Sequence, residues 1–227
     1  VFITTGSAIN GYLASYIIIS ILISQMSFLS TIVPSEIISG EYSKGTFRMY
    51  LTRPISRSKL FLSKAIVVLL YTSIMMFYFF GYTILVSYAV LDSGLLIVFH
   101  DGLLGLDPNA DNVIFRFFIG FFFSNLIMIT VSLLCLMFSS FSKNSVTPII
   151  STISIVFIGA AILFIPIDIF EFINPYIFTG YMDIFLKAFY KPIPYDVLKD
   201  CFIVCCVWSI LFLLIAYFNF LQRDMVE

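Results

Sequence analysis

Several short patterns in this chain combine residue types that could do chemistry. Asp107-x-Asn109-x-Asp111 reproduces the first three ligand positions of a calcium loop, but Asn112 stands where the turn glycine belongs and Phe118 where the closing Glu belongs, so an acidic loop is the better reading. Gly40-x-x-x-x-Gly45 has the glycine spacing of a phosphate-binding loop; Thr46 follows with no intervening Lys, and no strand precedes it. His100, the only histidine, sits beside Asp101 without the further partners that a zinc site or a triad needs. Cys201, Cys205 and Cys206, with Met182 upstream, have the softness of a copper or zinc path, and equally the size of small residues on a packed helix face. With Cys135 they all fall in or at the edge of apolar stretches, where neither a disulfide frame nor a zinc knuckle is built. No catalytic group, no metal site and no cofactor of the chain's own is expected.

The elements that hold these residues are set by composition. Of 227 residues, 61% are hydrophobic and 11% charged, with mean hydropathy +1.08, whereas soluble domains carry about 25% charged residues. Lipid is therefore the solvent of this chain. A net charge of −1 leaves no basic face for nucleic acid. The 12 basic and 13 acidic residues leave charge-free stretches long enough to cross the hydrocarbon, and five spans are expected near 12–33, 60–90, 117–141, 146–165 and 201–221. They must be helices, since runs such as Phe121-Phe122-Phe123 lack the alternation of a membrane barrel. The fold class is thus an all-α integral membrane protein with one transmembrane domain over residues 1–227.

Charge sets the orientation. Between the first two spans, segment 34–59 and the start of the next span carry Lys44, Arg48, Arg53, Arg57, Lys59 and Lys64 against Glu36 and Glu41. Outer segment 91–116 carries Asp92, Asp101, Asp107 and Asp111, with Arg116 at its far edge. The positive-inside rule puts the first segment and the C-terminus in the cytoplasm, and segments 91–116 and 166–200 outside, in a multi-pass protein of the cell membrane. Residue 1 then falls outside, so a sixth span before Val1 is expected in the full chain; a cleaved signal peptide is the rival account. Gln25 and Asn125 are amides at mid-span and are expected to face another helix or a second subunit, with a substrate contact as the alternative. Arg116 is expected to snorkel to the interface. Segment 166–200 is rich in aromatic residues, and Ile184, Phe185, Ala188 and Phe189 recur at helical spacing, which predicts an interfacial or re-entrant helix serving as an outer gate or as an aromatic anchor.

The segment 34–59 is the most informative. Phe47, Tyr50 and Leu51 form an apolar face, the chain is expected to break at Ser43-Lys44-Gly45, Thr46 can cap the second piece, Pro54 ends it, and Ser56 can cap the following span. Two short helices making a bent, basic-rimmed foot are expected. The run Glu41-x-x-x-Gly45-Thr46, Leu51, Pro54-Ile55-Ser56-Arg57, Lys64 resembles the signature of type-2 ABC exporter permeases, with Phe47 for the usual Leu and Ser63 for the usual Gly. The ending Phe220-Leu221-Gln222-Arg223-Asp224 is similar to the family's C-terminus.

That resemblance implies a permease that pairs with a second permease and is driven by separate cytoplasmic ATPase subunits, which bind the ATP and Mg. It also implies that the foot is the coupling helix docked on the ATPase, with Glu41, Gly45, Thr46, Arg48, Pro54, Ser56 and Arg57 in it. On that reading, reversing the charge of Glu41 or Arg57 uncouples transport without harming the fold. Phe, Tyr, Ile and Ser along a shared cavity would suit amphipathic cargo. The competing classes are an ion-coupled secondary transporter, for which the spans lack acidic groups, and a structural membrane subunit.

Overall fold

A computed structural model describes residues 10–43, 56–91, 94, 96–99, 103–106, 111–162 and 173–222. Four long apolar helices dominate: α1 (Gly11–Ser43), α2 (Arg57–Val90), α3 (Val113–Phe141) and, at the C-terminus, α6 (Tyr195–Gln222), each long enough to cross a bilayer. Between α3 and α6 lie α4 (Val146–Ile162), two 3-10 turns (Asn174–Tyr176 and Phe178–Tyr181) and the short α5 (Ile184–Lys187). The chain is an all-α integral membrane protein.

Helices α1, α3 and α6 run in one direction and α2 and α4 in the other, so one end of the bundle gathers the Ser43, Arg57, Phe141, Val146 and Gln222 termini. This is called the Glu41 end below, and the opposite end, with Gly11, Val90, Val113 and Tyr195, the Arg116 end. The central helix is α3, which packs against α1, α2, α4 and α6. The core divides in two. One cluster runs from Ile38, Phe61 and Phe220 near the Glu41 end along α3 and α6 to Leu198, and Tyr16, Phe80, Phe117, Phe185 and Phe189 are part of the other, at the Arg116 end.

Lipid offers apolar side chains no advantage in burial, so helices here associate through close packing and interhelical hydrogen bonds. The α1–α3 seam is accordingly made of small polar residues: Ser27, Ser30, Thr31, Ser35 and Ser39 on α1 face Met128, Ser132, Cys135 and Ser139 on α3. Ile19 and Ile38 of α1 are buried in the core, while Ile17, Ile21, Phe28 and Ile32 point outward and are exposed to the surroundings.

Three features depart from the sequence reading. The first helix does not end at Val33: it continues through Pro34 to Ser43, so no separate helix begins at Pro34, and residues 34–43 of the expected loop belong to a spanning helix. Segment 91–116 holds a two-stranded antiparallel hairpin, β1 (Leu96–Phe99) with β2 (Leu103–Leu106), paired from Leu96 opposite Leu106 to Phe99 opposite Leu103. Its sequence signal, Asp-Gly between two apolar runs, is a hairpin signal that the membrane reading overlooked. The helical spacing of Ile184, Phe185, Ala188 and Phe189 yields only the single turn of α5, and all four residues are buried in the bundle rather than lying along an interface.

At the Arg116 end α5 acts as a plug. Phe189 lies edge-on to Phe117 (centroids 4.9 Å) and to Tyr16 (5.0 Å), and Phe185 packs on Phe80 and Tyr16. Gly120 of α3 makes room for it, since a Cβ there would sit 2.7 Å from the Phe185 ring. Likewise Gly159 of α4 admits Thr179, whose Oγ1 would lie 2.3 Å from a Cβ. Tyr181 donates to the Pro175 carbonyl at 2.8 Å, and burial, with Asp200 nearby, pushes its phenol up to about 12, so it remains a donor at any ordinary pH.

Candidate functional site

The candidate site is the join between α1 and α2 at the Glu41 end. Gly45, Thr46, Arg48 and Pro54 lie outside the described residues, as do Arg223 and Asp224; the two flanks of the segment, with Glu41, Ser56 and Arg57, are described.

On the first flank, Glu41 occupies the last turn of α1. Its carboxylate accepts from Lys64 Nζ at 2.5 Å, and the same ammonium donates to the Ile37 carbonyl one turn earlier on α1. Lys64 sits two turns into α2, with a side chain only 6% exposed against 25% for that of Glu41. A buried cation is tolerated where it is paired and hydrogen-bonded. Here an acid and a carbonyl of α1 both converge on it, so the pair fixes the end of α1 against the start of α2.

On the second flank, Ser56 is the residue before α2. Its backbone is extended and its carbonyl accepts from Leu60 N at 3.2 Å, while its hydroxyl makes no capping bond, so it caps by backbone and not by side chain. The Nη1 of Arg57 donates at 3.0 Å to the Leu221 carbonyl in the last turn of α6. A helix C-terminus presents unpaired carbonyls and partial negative charge, which an Arg satisfies. Next to it Ser58 Oγ and Tyr217 OH lie 3.1 Å apart, and Phe61 packs edge-on to Tyr217. The second flank is thus fixed to α6.

A bracket results. Residues 44–55 join two anchor points, one tying α1 to α2 through Glu41–Lys64, the other tying α2 to α6 through Arg57–Leu221. Lys64 was legible as part of a pattern, but nothing in the sequence said that Glu41 would pair with it: the partners are 23 positions apart and lie on different helices.

The remaining sequence candidates fall elsewhere. Gln25 is on the exposed face of α1, in line with Ile21 and Phe28. Asn125 is half-buried on α3, and its Oδ1 is enclosed without a hydrogen-bond partner. Arg116 does not snorkel. It is 7% exposed, and it donates through Nε to the Asp111 carbonyl at 3.1 Å and through Nη1 to those of Ala188 at 3.2 Å and Tyr190 at 2.8 Å. The Ala188 and Tyr190 carbonyls, just past the end of α5, hold the guanidinium inward, and Lys191 adds an ion pair to Asp111 at 2.6 Å. Asp111 is therefore committed to a lysine, which weighs further against calcium at Asp107-x-Asn109-x-Asp111. Cys201 and Cys205 are buried one turn apart on α6, and among the described residues no group of three or more His, Cys, Asp or Glu is placed to hold a metal.

An apolar groove of about 210 Å³ opens between α2 and α3, lined by Phe77, Phe80, Gly81, Phe117 and Phe121 among others. Nothing approaches the open side of Gly81.

Neither a curated protein nor a solved structure matches this chain. The family model described as ABC-2 family transporter protein matches residues 4–159, well over half of the sequence and including both flanks of the bracket. The chain therefore belongs to the ABC-2 family transporter proteins, the multi-pass membrane permease components of ABC transporters.

Proposed function

We propose that this permease is an exporter subunit, that residues 44–55 form its coupling helix on a separate cytoplasmic ATPase that binds ATP and Mg, and that a second permease completes the substrate pathway. The Glu41 end is then cytoplasmic, as the excess of Lys and Arg there requires. The observation that carries the reading is the bracket: both flanks of the segment are fixed to spanning helices through Glu41–Lys64 and Arg57–Leu221, so a displacement of those flanks is shared by α1, α2 and α6. Glu41 and Arg57 serve this anchorage, and contact with the motor falls to Arg48 and the residues around it. Reversing the charge of Glu41 or Arg57 would accordingly disturb the fold as well as coupling.

Gln25 supports the paired arrangement. A primary amide facing hydrocarbon leaves its hydrogen bonds unmade, whereas a second permease against that face of α1 can satisfy them. The cargo reading rests on the groove between α2 and α3, whose phenylalanine lining fits an apolar or amphipathic molecule. The aromatic plug of Phe185 and Phe189 stands where an outer gate would close.

The test is to purify the full-length protein with its native neighbours in mild detergent and identify what co-elutes. A stoichiometric ATPase that is released by Arg48→Glu, while the permease keeps its melting temperature, supports the docking assignment. Elution of the permease alone, with no ATPase able to reconstitute with it, refutes the motor-driven reading and brings secondary transport forward.

A further inference from the structure

Pro34 lies inside α1 and has no amide hydrogen. In an unbroken helix the amide at position 34 would donate to the Ser30 carbonyl. That carbonyl is met from another helix: Ser132 Oγ of α3 donates to it at 3.2 Å, and Thr72 Oγ1 of α2 lies 2.7 Å from Ser132 Oγ. Ser30, Thr72 and Ser132 are all fully buried. Ser132 also lies 2.9 Å from the Met128 carbonyl and Thr72 2.9 Å from that of Val68, but those two carbonyls have amide donors within their own helices. The proton order that leaves no carbonyl unpaired therefore runs from Thr72 to Ser132 to Ser30.

One turn further along α1 a second serine does a similar job. Ser139 Oγ donates to the Ser35 carbonyl at 2.8 Å and accepts from the Ser39 amide at 3.0 Å, bridging a carbonyl and an amide that a regular helix joins directly; the Ser39 hydroxyl of α1 donates to the same carbonyl. Proline and a side chain inserted into the backbone ladder are the two commonest causes of a bend in a long helix. In α1 they follow one another between Ser30 and Ser39, and both are repaired by α3, from positions 132 and 139, two turns apart on that helix.

We propose that Ser30–Ser39 is a hinge built into α1, held by the hydroxyls of Ser132 and Ser139, with Thr72 as a positioning residue that aims Ser132. Beyond the hinge α1 leads to Glu41 and the 44–55 segment. Movement of that segment is therefore passed to α3 through Ser35–Ser139, while the outer part of α1 keeps its place through Tyr16 on Phe185 and Phe189. The functional half of this inference rests on the coupling reading above; the hydrogen-bond half does not, and the experiment separates them.

Pro34→Ala restores the missing amide and gives the Ser30 carbonyl a donor within α1. In the purified permease, Ser132→Ala lowers the melting temperature by about 2–6 °C on the wild-type background, the loss of one buried hydrogen bond. On the Pro34→Ala background the same change is nearly silent, and Ser132→Thr, which keeps the hydroxyl, is tolerated on both. Equal shifts on both backgrounds overturn the assignment of Ser132 as the repair. In the assembled transporter, Pro34→Ala retains ATP hydrolysis while transport per ATP falls at least fivefold. Wild-type transport by Pro34→Ala overturns the hinge. If Pro34→Ala fails to assemble, Thr72→Val is read instead: it must lower transport per ATP and quicken amide hydrogen exchange over 30–39, and unchanged exchange and transport overturn the hinge as surely. A permease that binds no ATPase refutes the coupling reading and leaves the melting cycle to decide the hydrogen-bond assignment.

Discussion

Removing one member of the Glu41–Lys64 pair should hurt more than removing both. In Glu41→Ala the Lys64 ammonium stays in place, 94% enclosed, with the Ile37 carbonyl as its remaining partner in this contact. Leaving a buried charge without its partner costs about 3–5 kcal/mol. Because Glu41 is one quarter exposed and water reaches its side of the contact, the lower figure applies. At roughly 2–4 °C per kcal/mol for a chain of this size, about 3 kcal/mol is a drop of roughly 6–12 °C. Lys64→Met is milder: the methionine fills the volume, the stranded carboxylate can turn to water, and about 1–2 kcal/mol is lost, or roughly 2–8 °C. The double variant strands no charge at all and should melt above Glu41→Ala. The assay is the loss of soluble monodisperse protein on heating in mild detergent, monitored by size-exclusion fluorescence, with all four proteins in parallel. A double variant melting below Glu41→Ala would show that the two side chains act independently, and the bracket argument would fall with it.

Other perturbations read other parts of the structure. Arg116→Met removes the donor to three carbonyls, and with it both hydrogen bonds from α3 to the Ala188–Tyr190 stretch; limited proteolysis at Lys187 should quicken markedly, and Arg116→Lys, with a single ammonium for three carbonyls, should recover only part of the resistance. Gly120→Ala drives a methyl into the Phe185 ring and should cost about 1–3 kcal/mol in melting experiments; adding Phe185→Leu should return most of it, and no recovery would mean that the plug does not rest on Gly120. Arg57→Ala removes the donor at the C-terminus of α6 and should cost about 0.5–1 kcal/mol, a melting shift of a few degrees at most, whereas Arg57→Glu, which sets a negative charge against the helix terminus, should cost more.

The spans were legible because lipid imposes a single strong rule: a backbone in hydrocarbon must bond to itself, and a charge there is expensive. Charge-free stretches therefore located every long helix, and the clustering of Lys and Arg marked one end. The helix limits were less legible. Pro34 beside a run of charges looks like the end of a span, but α3 supplies Ser132 to the carbonyl that the proline leaves bare, and α1 runs on. Arg116 illustrates the same blindness: a lone Arg at a span edge suggests an interface, and only the fold brings the carbonyls of residues 188 and 190 within its reach. The hairpin at 96–106 did carry a local signal in Asp101-Gly102, masked by an overall composition so apolar that strands were not sought. Of the candidate site, the signature residues were visible in order and spacing, and their partners were not, since pairings such as Glu41 with Lys64 and Arg57 with Leu221 are products of helix packing.

Those pairings change what the spacing of the signature means. A residue that touches a motor protein must face outward, and nothing forces it to keep a fixed distance from residues of the neighbouring helix. A residue that anchors one helix on another is bound by the geometry of both. Glu41 must sit one turn after Ile37 for Lys64 to reach the two together, and Lys64 must sit two turns after Arg57 for one helix to hold α1 and α6 at once. Regular spacing across 41–64 thus follows from the bracket itself, before any partner is considered. A change of partner should accordingly be written at the positions of 44–55 outside Gly45, Thr46, Leu51 and Pro54, and should leave Glu41, Arg57 and Lys64 alone.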